Sequence, residues 1–227
     1  MIKVFIGYDN AEVVAASVLA HSINVNASEP VAIAPVMLSQ LGRVFDRPRN
    51  ELQSTEFSFS RFLTPWLAGY EGWAVFMDCD MIMRADIAEL WKLRDERYAV
   101  QVVKHVHVPK EETKFLGQVQ TKYEKKNWSS VMLMNCAKCR ALTPEFVNTA
   151  TGLELHQFKW LAGDDLIGAL PGRWNHLVGY DAPDPGAALV HFTIGGPWFD
   201  EYRDCEFAAE WFAARDAMLT ARGKARK

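Results

Sequence analysis

Along the first hundred residues, apolar positions switch between the period of a strand and the period of a helix. Residues 2–6 are a short apolar run ending at Gly7, which predicts a strand. Residues 10–24 place Val13, Val14, Ala16, Val18, Leu19 and Ile23 at helical spacing behind Asn10, a residue type that caps helices. Residues 31–38 read as a second strand, and Pro35 within it predicts an edge position or a bulge. Residues 39–57 are polar and loop-like. Residues 60–67 read as a short helix with Pro65 near its start or at a kink. Residues 73–77 are apolar at every position, which predicts a central strand covered on both faces, and residues 98–103 predict another.

The second half continues the pattern. Residues 111–127 are charged, end rich in lysine at Lys122, Lys125 and Lys126, and fit a loop over a site. Residues 130–134 read as a strand, 153–160 as a helix, 189–193 as a late strand and 206–219 as a last helix before a basic tail. Strands alternating with helices predict an α/β fold in one domain over residues 1–227. Its central sheet is expected to be mainly parallel, with helices on both faces. Ligands bind such sheets beyond the carboxyl ends of the strands. That rule directs attention to the residues after Ile6, Met77, Met134 and His191.

Composition narrows the class. A chain of 227 residues buries about 70% of its unfolded surface, enough for a core without staples. With 49% apolar and 23% charged residues it is an ordinary globular sequence, not a disordered one. Twenty-five basic against 28 acidic residues give a net charge of −3, which is no nucleic-acid footprint. No apolar run reaches the ~18 residues that a membrane-spanning helix needs. The N-terminus enters a strand at once and has no signal-peptide apolar region. A cytoplasmic location is therefore expected, with Cys79, Cys136, Cys139 and Cys205 as thiols. Cys136 and Cys139 form a C-x-x-C pair without a second pair nearby, so they read as unligated, with metal or redox use as the alternative. Phe207, Trp211, Phe212, Met218 and Leu219 form a rough apolar stripe on the last helix, followed by Arg222, Lys224, Arg226 and Lys227. The stripe fits a core-docked helix, or a weak peripheral contact with an anionic membrane surface.

The sharpest chemical signal is Trp73-Ala-Val-Phe-Met-Asp78-Cys-Asp80-Met-Ile-Met83. On an extended chain residues i and i+2 share a face, so Asp78 and Asp80 converge and Cys79 points away. Two carboxylates at the end of a buried strand need positive charge. A hard divalent cation, Mn²⁺ or Mg²⁺, would supply it; so would Arg84 or Lys92 as ion-pair partners. Three other segments lie where the same ligand would reach. Gly7-Tyr8-Asp9-Asn10 offers close backbone approach, a stacking ring and hydrogen-bonding groups for a base or ribose, or else a plain helix cap. Ser60-Arg61 offers a cation to phosphate, or else a surface ion pair. His191 begins a segment that ends Gly195-Gly196-Pro-Trp198; it offers a third metal ligand and a turn that could cradle a diphosphate.

In this order the segments resemble the GT-A-fold glycosyltransferases, close to family 8, the retaining enzymes that include glycogenin and bacterial lipopolysaccharide glycosyltransferases. The matching segments run from Val4 to Trp198. Ser60-Arg61-Phe62, Phe76-Met-Asp78-Cys-Asp80-Met-Ile, Asp86-Ile-Ala-Glu-Leu90, Val131-Met-Leu-Met-Asn135, Leu170-Pro-Gly-Arg-Trp-Asn175 and His191 to Trp198 each resemble a family segment. The resemblance implies a Rossmann-like GT-A domain. It implies that Asp78, Asp80 and His191 hold Mn²⁺ or Mg²⁺ against a sugar-nucleotide diphosphate. It places Gly7, Tyr8 and Asp9 near the base, and Arg61 and Gly196 near the phosphates or sugar. The family's lysine before Pro-Trp is missing here, with Gly196 in its place and a turn one residue shorter, so Arg61 or Arg203 would have to neutralise phosphate. Trp128-Ser129-Ser130 stands where the family has Asn-Ala/Ser-Gly. The family's Asp-Gln pair at the reacting face has two counterparts, His156-Gln157 by count from Leu170-Pro171, or Asp164-Asp165. Gln157 and Asp165 are the candidate catalytic residues.

The activity this implies is transfer of a sugar from a nucleotide-diphosphate sugar, a UDP-sugar in the family, to an acceptor hydroxyl on a glycan, a lipid-linked saccharide or a protein. Retention of configuration is carried by the resemblance alone. Two alternatives stand beside it. A haloacid-dehalogenase-type phosphatase also places D-x-D after an apolar strand, with Asp as nucleophile. A sugar-nucleotide-binding protein without activity would explain the missing lysine and the altered motifs.

Overall fold

The computed structural model describes residues 1–49, 53–106 and 124–220. The first apolar run forms strand β1 (Ile2–Gly7), followed by helix α1 (Val13–Asn26) and strand β2 (Val31–Val36). β2 pairs in parallel with β1 at the edge of the sheet, where the missing N–H of Pro35 costs no inner ladder bond. Asn10 does not cap α1: its amide donates to both carboxylate oxygens of Glu56, at 3.1 Å each. Instead Asp9 accepts from the Ala11 N–H at 2.8 Å.

Helix α2 (Leu38–Leu41) follows β2. A 3₁₀ turn over Ser60–Leu63 then runs into α3 (Thr64–Leu67), whose first turn takes Pro65 because the first helical N–H groups need no partner within the helix. Strand β3 (Trp73–Met77) is buried at all five positions, as its apolar pattern requires. Next come β4 (Met81–Met83), α4 (Ile87–Trp91), β5 (Val100–Val102), β6 (Val131–Asn135), α5 (Pro144–Thr149) and α6 (Gly152–His156). The chain closes with β7 (Ile167–Ala169), β8 (His176–Leu177), β9 (Leu189–His191) and α7 (Ala208–Thr220).

Six strands form the central sheet in the order β2-β1-β3-β6-β5-β7. The pairings β1–β2, β1–β3 and β5–β7 are parallel, whereas β6 runs against both of its neighbours. The sheet is thus mainly parallel, with one reversed strand. That reversal corrects one expectation. Met134 lies towards the end of β6 that meets Trp73, away from the carboxyl end of β3, and the start of β6 meets Met77 through Val131 instead. A second, three-stranded sheet has the order β4-β9-β8 and was not expected. Its strands hold two or three residues each, too few for a period to show. Its consequence is local: antiparallel pairing of Met81 with His191 brings β9 alongside the end of the D-x-D segment.

The core divides between the two sheets. Leu19 and Ile23 of α1 join the main cluster with Phe57, Phe62 and Phe76, while Val18 joins Phe192 and Trp211 in a second one. Trp211 is fully buried, and Phe207, Phe212 and Met218 pack half-buried around that second cluster. The apolar stripe of α7 therefore faces the protein, and only Leu219 of that stripe is exposed. No helix among the described residues is long and apolar enough to cross a membrane. The basic tail beyond Thr220 and Lys122 lie outside the described residues.

The helix expected over 153–160 is shorter, and its end has a physical cause. Phe158 adopts a left-handed φ of 58°, and the Lys159 N–H closes the helix end on the Glu154 carbonyl at 3.0 Å. Glycine is usual at such a position. Phe158 is tolerated because its ring is buried between Trp128 and Trp160.

Gly7 shows how tightly β1 is covered. A Cβ there would overlap the Phe57 ring. Gly7→Ala is expected to destabilise the fold by about 1–3 kcal/mol, the cost of overpacking. Thermal melts of Gly7→Ala and of Gly7→Ala with Phe57→Leu check this. Recovery in the double variant is the expected result, and equal melts for Gly7→Ala and wild type would contradict it.

Candidate functional site

Asp78 follows β3 directly, and Asp80 precedes β4. The backbone turns between the two strands while the Asp78 N–H donates to the Ser130 carbonyl at 2.9 Å. The Phe192 N–H donates to the Asp80 carbonyl at 2.9 Å and ties the next strand alongside. These bonds bring Asp78, Asp80 and His191 together. Each offers one ligand atom, and those atoms lie within 4.8 Å of one another. All three residues are buried. His191 Nε2 is 3.3 Å from Asp80 Oδ2. Two carboxylates and an imidazole nitrogen form a donor set that suits Mn²⁺ or Mg²⁺, with coordination positions left over for phosphate oxygens.

The positive partner of Asp78 is Arg61, not Arg84 or Lys92. Arg61 Nη1 bonds Asp78 Oδ1 at 2.7 Å and the Ser129 carbonyl at 3.0 Å, and Nε reaches the Phe57 carbonyl at 3.4 Å. Its guanidinium carbon lies 5.1 Å from the Phe57 ring centroid and 5.3 Å from that of Phe76. With 6% of its surface exposed, Arg61 is no surface ion pair; it is a buried brace for the first aspartate. Arg84 instead forks onto Glu210 of α7 and onto the Ala187 carbonyl. Arg203 lies over the ring of Phe212.

The residues expected near a base sit at the carboxyl ends of β1 and β2. Tyr8, Asn10, Leu38, Ser39, Arg49 and Glu56 line a cleft of about 210 Å³ there. Asp9 is buried, and both its oxygens are committed to backbone: Oδ1 to Ala11 and Oδ2 to the Glu56 N–H at 2.9 Å. It ties the loop after β1 to the segment around Glu56. Gly196 is likewise explained by packing, since a Cβ there would overlap the ring of Trp198. Gly195, at φ 155°, lies against Tyr202.

The two candidate counterparts of the reacting-face pair meet at one lysine. Lys125 Nζ bonds the Gln157 carbonyl at 3.1 Å and Asp164 Oδ1 at 2.5 Å. Asp165 is exposed beside it. His156 connects to the centre through bonds the sequence did not reveal. Its Nδ1 is 2.8 Å from Ser129 Oγ, and the Ser129 carbonyl holds Arg61. Burial, and then the charge of Arg61, lower the His156 pKa to about 3 against a backbone hydrogen bond at Ser58. Burial thus favours the neutral ring.

The sequence reading gave no individual role to three further residues. Ser130 and Asn175 join His191 through hydrogen bonds described below. Glu12, at 2% exposure, lies under the aspartates and accepts from Cys79 Sγ at 3.5 Å. Burial first, then the charges of Asp80 and Asp9, hold its carboxyl well above the usual range. A raised folded-state pKa means stability that is present below the unfolded pKa and lost as pH rises through the folded value. Glu12→Gln is therefore expected to raise the melting temperature at pH 8 and to change it little at pH 4. A melt series over pH tests this, and an equal shift at both ends would contradict it. Burial raises Cys136 and Cys205 to about 11 and pushes Cys79 and Cys139 up further, so all four stay protonated. Among the described residues, the Cys136–Cys139 pair contributes to no metal-ligating group.

Solved structures similar to this chain include glycosyltransferases. The bifunctional glycosyltransferase WbbM matches 94% of the chain with a TM-score of 0.67 at 14% identity, and the chain spans 49% of the WbbM chain. The galactosyltransferase LgtC, solved in complex with donor and acceptor sugar analogues, matches 97% of each chain with a TM-score of 0.55 at 14% identity. The fold is thus the GT-A fold of these glycosyltransferases. No protein-family model matches the chain. In sequence it is 50% identical over 218 residues to Protein CDI of Arabidopsis thaliana, covering 92% of this chain and 84% of that protein. The chain belongs to the family of Protein CDI.

Proposed function

We propose that the chain is a metal-dependent glycosyltransferase that moves a sugar from a nucleotide-diphosphate sugar, a UDP-sugar, to an acceptor hydroxyl with retention. One observation carries the reading: a buried Asp78–Asp80–His191 group lies at the carboxyl end of β3 within a glycosyltransferase fold. Mn²⁺ or Mg²⁺ held by these three residues would neutralise charge developing on the leaving diphosphate. That LgtC takes donor and acceptor sugars supports the same pair of partners here, with the acceptor a glycan, a lipid-linked saccharide or a protein.

The chain's own residues then have separate tasks. Arg61 holds Asp78 at its oxygen and keeps the aspartate aimed while adding positive field next to the phosphates. The Tyr8 cleft receives base and ribose, with Tyr8 as stacking face and Asn10, Arg49 and Glu56 as polar walls. Lys125 fixes the Gln157 segment against Asp164 and so orients the face that Gln157 and Asp165 present to the sugar. With attack from the face of departure, the acceptor oxygen bonds to the anomeric carbon as the carbon–phosphate oxygen bond breaks. The released phosphate oxygen takes the acceptor proton, so no separate base is required.

Calorimetric titration of UDP, with GDP as control, in Mn²⁺ and then in EDTA tests the reading. Metal-dependent UDP binding followed by UDP release from a UDP-sugar is the expected result. Binding of neither nucleotide in any metal would overturn it. Binding without transfer or donor hydrolysis would leave a sugar-nucleotide-binding protein.

A further inference from the structure

The geometry points to Asn175 as the positioning residue of His191: we propose that it holds the imidazole proton on Nδ1 and leaves the Nε2 lone pair facing the aspartates. The consequence for metal binding rests on the function proposed above; the hydrogen-bond pattern does not.

The chain of inference starts at a group with no freedom. The Asn127 carbonyl can only accept. It accepts from Ser130 Oγ at 2.6 Å and from the Asn175 side chain at 3.3 Å. The Asn175 atom facing it must therefore be Nδ2. Ser130 Oγ has spent its proton on Asn127, so it accepts from the same Nδ2 at 2.8 Å. Two acceptors thus fix the amide, and Oδ1 is left to face His191 Nδ1 at 3.0 Å. An amide oxygen cannot donate, so the proton of that bond belongs to Nδ1. In the neutral ring Nε2 then carries a lone pair, 3.3 Å from Asp80 Oδ2. Without Asn175, the Asp80 carboxylate would attract the proton to Nε2, and the nitrogen nearest the two aspartates would lose its lone pair. Asn175 and Ser130 are buried, so water does not substitute for either. Asn127, at φ 65°, adopts the left-handed conformation that asparagine tolerates.

The test reads the tautomer directly. In metal-free protein labelled with ¹⁵N-histidine, two-bond nitrogen–proton spectra are recorded at a pH where the ring is neutral. His191 is assigned by its absence in His191→Gln. The expected result is a protonated Nδ1 in wild type and protonation moved to Nε2 in Asn175→Ala. In parallel, free Mn²⁺ measured by electron paramagnetic resonance should show affinity falling about ten- to a hundredfold in Asn175→Ala. A proton on Nε2 in wild type, or the same tautomer in wild type and Asn175→Ala, overturns the proposal. So does equal Mn²⁺ affinity of those two proteins. If Asn175→Ala does not fold, Asn175→Leu replaces it, a side chain of similar size without an acceptor; protonation moved to Nε2 is expected, and an unchanged Nδ1 form counts against the proposal. Wild type that binds no Mn²⁺ contradicts the proposed function, while its tautomer still decides the role of Asn175.

Discussion

Asp80→Asn is expected to lower sugar transfer by about a thousandfold, the scale of a lost charge stabiliser in a buried site, while leaving the melting temperature near that of wild type. The exchange keeps the size of the side chain and removes the charge. Asp80 lies beside His191 Nε2 and, unlike Asp78, takes no part in the Arg61 ion pair. Asp78→Asn should show the same catalytic loss and also lower stability, because Arg61 then stays buried without its anion. The two variants separate a metal role from a structural one. Initial rates of UDP release at saturating Mn²⁺, with melts of both proteins, check the pair. Turnover of Asp80→Asn within tenfold of wild type would sink the metal assignment.

The second large effect concerns the brace itself. Arg61→Met leaves Asp78 buried with its charge partner removed, and breaking one side of a buried pair costs about 3–5 kcal/mol. At roughly 2–4 °C per kcal/mol for a chain of this size, the melting temperature should fall by about 6–20 °C. Adding Asp78→Leu to Arg61→Met replaces both charges with apolar groups and should recover most of the loss. Urea melts of the two single variants and the double variant form the cycle that tests this. A loss below about 1 kcal/mol in Arg61→Met would show that Asp78 draws its stabilisation from elsewhere.

Much of this site was readable from residues 73–83, because an apolar strand ending in two acids leaves few alternatives. The β3 strand follows from its unbroken apolar run and the closeness of Asp78 and Asp80 from their spacing, although the two lie in the turn between β3 and β4 and not on one extended strand. What a strand pattern lacks is direction, so the reversal of β6 was hidden and Met134 was placed at the wrong end. Charge pairing was hidden for a related reason. Arg84 and Lys92 are near in sequence, but β4 carries Arg84 away to Glu210, and the 3₁₀ turn delivers Arg61 from the other side. Glycine was ambiguous in the same way: a glycine that admits a ligand and one that admits Phe57 or Trp198 are the same letter. Pro35 predicted an edge position or a bulge because its chemistry permits little else, and β2 lies at the edge. Asn175 was visible as part of a short segment, but its bonds to His191, Ser130 and Asn127 exist only once three distant segments have met.

The pairing of Met81 with His191 sets an order of events for a chain emerging from the ribosome. Arg61 and Asp78 are made close together, so the first aspartate gains its counter-charge while the carboxyl-terminal third is still unsynthesised. Asn175 and His191 arrive only near the end, and β9 must dock onto β4 before the third ligand is in place. A chain stopped short of β9 would thus carry the paired acid and its arginine without a closed cation site. Competence to bind metal would then mark the completed chain rather than the folded first half.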